Sequence, residues 1–137
     1  MLKRKGGDVV TVRPDATVTD LLALVAEHRI GAVVVSGDGS SVDGIVSERD
    51  VVRHLHSDGA ALLDGPVSAI MTTTVHTCTP EESLEELATA MTDRRIRHVP
   101  VVVDGALQAI VSIGDIVKFR IDTLQAERDQ LRDYISQ

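Results

Sequence analysis

Aromatic side chains are nearly missing from this sequence. Phenylalanine and tyrosine each occur once, and tryptophan does not occur among the 137 residues. The sequence therefore lacks the stacking platform on which proteins bind the bases of single-stranded nucleic acids. Basic residues are also few, because 14 of them stand against 21 acidic residues, and the resulting net charge of −7 opposes attraction to a phosphate backbone. We predict no nucleic-acid partner.

Cysteines and long apolar runs are equally scarce. The single Cys78 excludes an internal disulfide, and no Cys/His spacing typical of a structural zinc site occurs. Apolar runs stay short of the roughly 18 residues that a membrane-spanning helix needs, and the first residues lack the pattern of a signal peptide. These absences predict a cytoplasmic protein with no metal site and no membrane contact.

The sequence does contain an internal duplication. The segment TVRP at 11–14 recurs as TCTP at 77–80, and IVS at 45–47 recurs at 110–112. Each copy consists of a short Val/Thr-rich strand, predicted at 8–12 in the first copy and at 74–78 in the second, followed by an amphipathic helix, two aliphatic strands joined by an Asp-Gly turn, and a second helix. Capping boxes are predicted at the start of the first helix of each copy, at Thr17 with Asp20 and at Ser83 with Glu86.

The predicted fold class is α/β, with two tandem β-α-β-β-α repeats. The first repeat covers residues 6–56 and the second covers 67–120, with a Gly- and Pro-containing linker at 57–66 between them. The strands at 32–35 and 99–103 are too continuously apolar for a sheet that is wetted on one face. We therefore expect that neither repeat is stable alone and that the two share one core.

A C-terminal helical extension is predicted at 121–137. From residue 117 onward apolar residues recur at spacings of four and three, interrupted by Arg128. One interpretation is a solvated helix that folds back on its own domain. We favour packing against a partner helix, because roughly 18 residues of isolated helix are marginal in water.

Four motifs resemble the CBS domain family: GIVSERD at 44–50, AIVSIGD at 109–115, IRHVPVV at 96–102 and VSAIM at 67–71. The resemblance implies two repeats packed sheet to sheet with pseudo-twofold symmetry, a ligand cleft between them, and a regulatory role. The sequence offers no acid/base pair, phosphate-binding loop or activated nucleophile, so we predict that the chain is not an enzyme.

Ser47 and Asp50 form the strongest candidate ligand site. A carboxylate beside a hydroxyl at a helix start suits the two hydroxyls of a ribose, although the same spacing is also a capping box that needs no ligand. The resemblance implies a ribose contact at Asp50 and a cleft built across the repeats. The predicted first cleft comprises Ser47, Arg49, Asp50, Val75, Thr77, Ile96, Arg97, His98 and Pro100, and the poorer second one comprises Ser112, Asp115, Val12 and Ala32.

The remaining residues of chemical interest have a simpler interpretation. Arg49 and Arg53 could instead be solvated surface residues. Cys78 is predicted to be an inert thiol on a half-buried strand. The histidines without an identifiable partner are predicted to lie on the surface, and they are His28, His54, His56 and His76.

The predicted function is that of a sensor module. Its ligand is an adenine nucleotide or another adenosyl compound, with AMP, ADP, ATP, NAD and S-adenosylmethionine as candidates, and no cofactor is required. The resemblance implies a homodimer that controls an unknown effector protein. The alternative is a structural dimerisation or protein-interaction module with a vestigial cleft.

Overall fold

The computed structural model describes residues 9–136 and has a mixed α/β fold. The predicted strand start at residue 8, the domain start at residue 6 and the final residue 137 lie outside the described residues. The first repeat contains β1 (Thr11–Val12), α1 (Val18–His28), β2 (Ala32–Val35), β3 (Gly44–Ser47) and α2 (Glu48–Asp58). Two short 3-10 helices follow, Gly59–Asp64 and Val67–Ala69. The second repeat contains α3 (Leu84–Arg94), β4 (His98–Val103), β5 (Ala106–Ser112) and α4 (Ile113–Ser136).

The strands form two small sheets. In the first, β2 pairs in parallel with β1 and antiparallel with β3, and in the second β4 pairs antiparallel with β5. The strand predicted at 74–78 is reduced to a single bridge between Cys78 and Val101. The reason is that Thr72 still exchanges two backbone hydrogen bonds of 2.9 Å with Ile45 of β3. The chain therefore has few residues left in which to cross over and build a longer ladder.

The first helix of each repeat begins where the sequence predicts. Thr17 and Asp20 form a complete capping box, in which each side chain accepts a backbone N–H at 3.1 Å. The Ser83 hydroxyl accepts the N–H of Glu86 at 3.1 Å, but the return bond of the predicted box is not formed. The N-terminal N–H groups of both helices are thus partly satisfied within the chain.

The duplication is visible in the backbone hydrogen bonds. The N–H of Ser36 donates to the carbonyl of Val12 at 2.9 Å, and the equivalent bond from Val102 to Cys78 has the same length. Glu48 at the start of α2 donates to Gly31 at 3.0 Å, and Ile113 at the start of α4 donates to Arg97 at 2.9 Å. Equivalent residues therefore make equivalent bonds in both repeats, as pseudo-twofold symmetry requires.

Buried apolar side chains form two clusters, one for each repeat. Leu21, Val33 and Val46 belong to the first cluster, and Leu87 and Val99 belong to the second. The expectation of one shared core is wrong in this respect. Each repeat packs its helices onto one face of its own sheet, because alternate strand residues point to opposite faces.

The other faces of the sheets meet between the repeats. Val34 lies between two members of the first cluster, so it points away from that cluster, yet it is fully buried. A Cβ placed on Gly31 would lie 3.4 Å from the His98 ring, and the N–H of Leu107 donates to the carbonyl of Ser40 at 2.8 Å. Neither repeat covers its sheet alone, and packing of one sheet against the other excludes water from both.

The segment predicted as a linker at 57–66 packs against the core of the first repeat. Leu62 of the first 3-10 helix is buried, and so are Val67 and Ile70 just beyond it. The backbone of Val67 donates to Ala16 at 2.8 Å. Residues 57–71 therefore close the first core before the chain crosses to the second sheet.

Candidate ligand-binding cleft

A cavity of about 380 Å³ opens between the two repeats, within the usual range for a small-molecule site. We call it the Asp50 cleft. Its wall from the first repeat comprises Gly31, Ala32, Ile45, Ser47, Glu48, Arg49, Asp50 and Arg53. Its wall from the rest of the chain comprises Thr72, Thr74, Val75, His76, Arg95, Ile96, Arg97 and His98. The cleft exists only because the two repeats pack together.

Asp50 lies at the start of α2 and divides its two carboxylate oxygens between two environments. Oδ2 accepts hydrogen bonds from the Ser47 N–H at 2.9 Å and the Ser47 hydroxyl at 3.1 Å, so the capping box is formed. Oδ1 lies 3.9 Å from an Arg53 guanidinium nitrogen. The cap therefore uses one oxygen and leaves the other to accept from a ligand, which makes capping and ligand binding compatible.

Arginines are concentrated around the Asp50 cleft. Arg49 and Arg53 come from the first two turns of α2, and Arg95 and Arg97 come from the segment between α3 and β4. Only two carboxylates, Glu48 and Asp50, share the cavity wall with these four guanidinium groups. A chain whose net charge is −7 thus presents a locally cationic cleft. Such a cleft suits a ligand with negatively charged groups.

Half-buried aliphatic residues complete the cleft. Val75 and Ile96 come from the second half of the chain, and Ile45 comes from β3. Aliphatic side chains of this kind can contact both faces of a flat heterocycle. The two aromatic residues of the chain do not line the cleft. The cleft therefore combines an apolar surface with a carboxylate and a cationic rim.

The structure brings together most, but not all, of the residues predicted for the first cleft. Ser47, Arg49, Asp50, Val75, Ile96, Arg97 and His98 line it. Thr77 lines an adjoining cavity of about 430 Å³ instead, and Pro100 is fully buried in the sheet. Neither residue therefore lines the Asp50 cleft, in contrast to the prediction from the sequence.

Several residues that line the cleft were not predicted from the sequence. His76 was expected on the surface but is half-buried in the cavity wall. Arg95 follows α3 in the left-handed conformation, with a φ of 55°, and it turns the chain toward Ile96 and Arg97. Its adjacency to the predicted IRHVPVV segment was the available signal, whereas nothing in the spacing marked Thr72 or Thr74.

The residues predicted for a second cleft are placed differently. Ser112 and Asp115 form the same local cap at the start of α4, with hydrogen bonds of 2.8 and 2.9 Å to Asp115 Oδ2. Val12 is a member of the first core cluster, and Ala32 lines the Asp50 cleft. The structure does not bring these four residues into one cavity.

Cys78 is buried, as a structural thiol would be. Burial, together with the nearby Glu82 carboxylate, raises the pKa of this thiol to about 11. The thiolate needed for nucleophilic or redox chemistry is therefore strongly disfavoured at neutral pH. The sequence predicts a half-buried position for Cys78, whereas the side chain is fully buried; the inert character expected of the thiol agrees with its raised pKa.

The described residues also lack two other kinds of feature. Between residues 9 and 136, no three His, Cys, Asp or Glu side chains are grouped so that they could hold a metal ion. No helix in that part of the chain is both long and apolar enough to cross a bilayer.

Comparison with known proteins identifies the family. A family model described as the CBS domain matches residues 3–57 and again 67–122. A CBS-domain containing protein from Agrobacterium tumefaciens has a similar structure, with a TM-score of 0.80 and 44% identity over 84% of this chain and 91% of that one. The chain belongs to the CBS domain family, and its fold is that of a tandem CBS pair.

Two further relatives extend the comparison. A mitochondrial CBS domain-containing protein of Arabidopsis thaliana is 34% identical over 98% of this chain and 69% of its own length. The CBS domain pair of protein MJ0100, solved in complex with 5-methylthioadenosine and S-adenosyl-L-methionine, has a TM-score of 0.75 and covers 82% of this chain and 91% of that one. At 22% identity the second likeness shows the fold alone.

Proposed function

We propose that this CBS pair is a regulatory module that binds an adenosyl ligand in the Asp50 cleft. The observation that carries the proposal is the joint presence, in one cavity, of an acid with one carboxylate oxygen outside the helix cap, an aliphatic surface and four arginines. Asp50 Oδ1 accepts from the ribose hydroxyls, and Val75 and Ile96 contact the base. The module performs no catalytic step of its own.

The charge of the cleft ranks the candidate ligands. Arg49, Arg53, Arg95 and Arg97 favour phosphate groups, because guanidinium and phosphate form charge-assisted and often bidentate hydrogen bonds. AMP, ADP, ATP and NAD carry such groups, whereas the sulfonium of S-adenosylmethionine is positively charged and is repelled. We therefore place the phosphorylated ligands ahead of S-adenosylmethionine, which is one of the two ligands named for the distant MJ0100 pair.

Helix α2 connects the cleft to the surface. Asp50 and Arg53 line the cavity, while Val52 and Leu55 on the same helix expose 67% and 41% of their surface. A ligand that contacts the first turns of α2 favours one position of the helix, and so one position of this apolar face. The ligand can shift the equilibrium only by its different affinities for the two arrangements, typically about 1–3 kcal/mol. This face is where we propose that a second copy or an unknown effector protein binds.

Calorimetric titration of the full chain with AMP, ADP, ATP, NAD and S-adenosylmethionine tests the proposal. At least one phosphorylated ligand should bind and should raise the midpoint of thermal unfolding, because a ligand at 100 times its Kd adds about 2.7 kcal/mol. S-adenosylmethionine should bind more weakly than that ligand. Failure of all five to bind would refute the sensor proposal.

Arg95→Ala and Arg29→Ala provide a matched pair of variants. Both arginines follow the first helix of their repeat in the left-handed conformation, with φ values of 55° and 54°. Only Arg95 lines the Asp50 cleft, so only Arg95→Ala should weaken binding, by roughly tenfold for one lost charge-assisted hydrogen bond. Equal weakening by both variants would indicate a backbone effect instead of a phosphate contact.

A second candidate is a structural interaction module whose cleft is vestigial. The observation in its favour is the number of large apolar side chains exposed on α2 and α4, among them Val52, Val117 and Phe119. Under this alternative, the chain associates through these helices and none of the five ligands changes its thermal stability. Light scattering, with and without ligand, separates the two candidates, because only a sensor changes its association or stability when the nucleotide is added.

The proposed location is the cytoplasm, in keeping with the single cysteine. The mitochondrial relative from Arabidopsis thaliana shows that other compartments contain members of this family. Fractionation of cells that produce the tagged chain decides this point, and recovery in an organelle or membrane fraction would contradict it.

A further inference from the structure

From Val117 onward, α4 carries an apolar stripe that nothing in the described chain covers. Ile116 is the last residue of α4 that is buried in the second core. Beyond it, Val117, Ile121, Leu124, Leu131 and Ile135 expose between 47% and 72% of their surface. The family match ends at residue 122, so most of this stripe lies outside the CBS fold. We call these five residues, together with Arg128, the α4 stripe.

The α4 stripe has the spacing of a coiled coil. Its residues alternate at intervals of four and three, which puts Ile121, Arg128 and Ile135 at a positions and Val117, Leu124 and Leu131 at d positions. The stripe runs for roughly 27 Å along the helix at 1.5 Å per residue. A helix of this length gains little stability without a partner that covers such a stripe.

We propose that the α4 stripe pairs in parallel and in register with the α4 stripe of a second copy of this chain. The charges beside the stripe identify the occupant. Glu127 occupies a g position and Arg132 occupies the e position five residues later, which is the pair that faces across a parallel coiled coil. Each helix thus carries both members of the pair, and two copies form it twice.

The opposite orientation is disfavoured by the same charges. An antiparallel pairing that covers the whole stripe is centred near residue 126, and it sets Glu127 against the partner's Glu127. It also sets Lys118 against the partner's Arg132. Like charges at such flanking positions select against an orientation. In the described part of the chain, neither Glu127 nor Arg132 makes an ion pair within its own subunit, so both remain available.

Arg128 gives the pairing its register and limits its strength. A charged residue at a single a position specifies alignment and favours two strands, at a cost in stability. In the parallel arrangement, each Arg128 reaches the partner's Glu127 at the preceding g position. The proposed pairing is therefore weak, because Arg128 places a charge in the apolar stripe. It adds to any other contact between the subunits. It does not depend on ligand binding.

Cysteine cross-linking of the full chain tests the orientation. Cys78 is the only native cysteine, and it is buried with a raised pKa, so it contributes little background. Leu131→Cys should form an intersubunit disulfide under mild oxidation, because parallel d positions meet at disulfide distance. Asp133→Cys is the matched control at an f position, and it should stay monomeric on a non-reducing gel.

Each other outcome of the cross-linking contradicts the proposal. Failure of Leu131→Cys to cross-link to itself, with efficient cross-linking to Ile121→Cys in a mixture, would establish the antiparallel orientation. Equal cross-linking by Leu131→Cys and Asp133→Cys would show random collisions. No cross-linking by any variant, with a monomeric mass in sedimentation, would show that the stripe has another occupant.

Charge reversal tests the ion pair without changing the apolar stripe. Glu127→Arg and Arg132→Glu should each raise the dimer dissociation constant several-fold, because each replaces two attractions with two repulsions. The double variant should recover part of the loss, because it restores the attraction between positions 127 and 132 but leaves a positive charge at 127 beside the partner's Arg128. Arg128→Ile should instead lower the dissociation constant at least tenfold, since it removes the charge from the stripe. Additive losses in the double variant would overturn the proposed pairing.

Discussion

Ser47 with Asp50 and Ser112 with Asp115 have nearly the same local geometry. In both places, the aspartate accepts the serine N–H and hydroxyl at 2.8–3.1 Å and closes a helix cap. Their surroundings differ, because the first cap shares a cavity with four arginines, of which Arg95 and Arg97 come from the opposing repeat. At the positions equivalent to Arg97 and His98, the first repeat has Gly31 and Ala32. The comparison indicates that the residues supplied by the opposing repeat, and not the cap itself, distinguish the Asp50 cleft from the surroundings of Asp115.

Asp50→Ala and Asp115→Ala should show the largest difference, and this difference is in nucleotide affinity. Both variants lose an equivalent capping interaction and should lose about 1 kcal/mol of unfolding free energy. Only Asp50→Ala should reduce nucleotide affinity, by roughly 10- to 100-fold for the lost charge-assisted bonds to the ribose. Calorimetric titration together with urea unfolding measures both quantities. Equal loss of affinity in the two variants would mean that both caps hold ligand.

Arg97→Gly tests the same difference, because it places in the second repeat the glycine that the first repeat has at the equivalent residue, Gly31. It removes one guanidinium from the cleft, and we expect about a tenfold loss of affinity for ATP. The dependence of the remaining affinity on salt should also become shallower, because one charge fewer is screened. Arg94→Gly serves as a control, since Arg94 is a neighbour that lies outside the Asp50 cleft. A loss of affinity with unchanged salt dependence would contradict a phosphate contact.

Gly44 and Ala109 occupy equivalent positions, but only Ala109 has room for a Cβ. A Cβ on Gly44 would lie 2.8 Å from Met71 Sδ and 2.9 Å from the Thr72 carbonyl oxygen, which is held to β3 by hydrogen bonds. Gly44→Ala should therefore cost roughly 1–3 kcal/mol of stability. Ala109→Gly should cost about 1 kcal/mol through backbone entropy. Urea denaturation measures the free energy of unfolding of both variants. A smaller loss for Gly44→Ala than for Ala109→Gly would show that Met71 and Thr72 move easily to make room for the added Cβ.

The smallest expected difference is between the two Asp-Gly turns, and it concerns how thermal stability depends on pH. Asp104 and Gly105 both have positive φ, as a two-residue hairpin turn requires. Asp38 instead accepts hydrogen bonds from the backbone of Ser40 and Ser41, which lower the pKa of its carboxyl to about 2.

The depressed pKa of Asp38 predicts a specific response to acid. The stabilisation is complete above the ordinary pKa of 3.8, and it is lost as the pH falls toward about 2. Asp38→Asn should flatten the dependence of thermal stability on pH in this window. An unchanged dependence for Asp38→Asn would assign the acid sensitivity to other carboxylates.

The sequence was informative wherever the structure depends on neighbours along the chain. The cap at Thr17, the aliphatic strand at 32–35, the turn at 104–105 and the helix of α4 follow from periodicity, capping and turn chemistry, which act over a few residues. The duplication was equally readable, because each repeat has the same local pattern. Asp50 and Arg97 were also selected, through their motifs.

Only the tertiary structure decided which side chains meet. The roles of Arg95 and His76 in the Asp50 cleft depend on how one repeat packs on the other, and the burial of Val67 and Ile70 depends on how residues 57–71 pack against the first core. The short strand predicted before α3 was lost for the same reason, since the chain at Thr72 is still bonded to the first sheet. Local pattern determines the elements, whereas contacts between residues far apart in sequence are set by packing of the two sheets, which no local pattern contains.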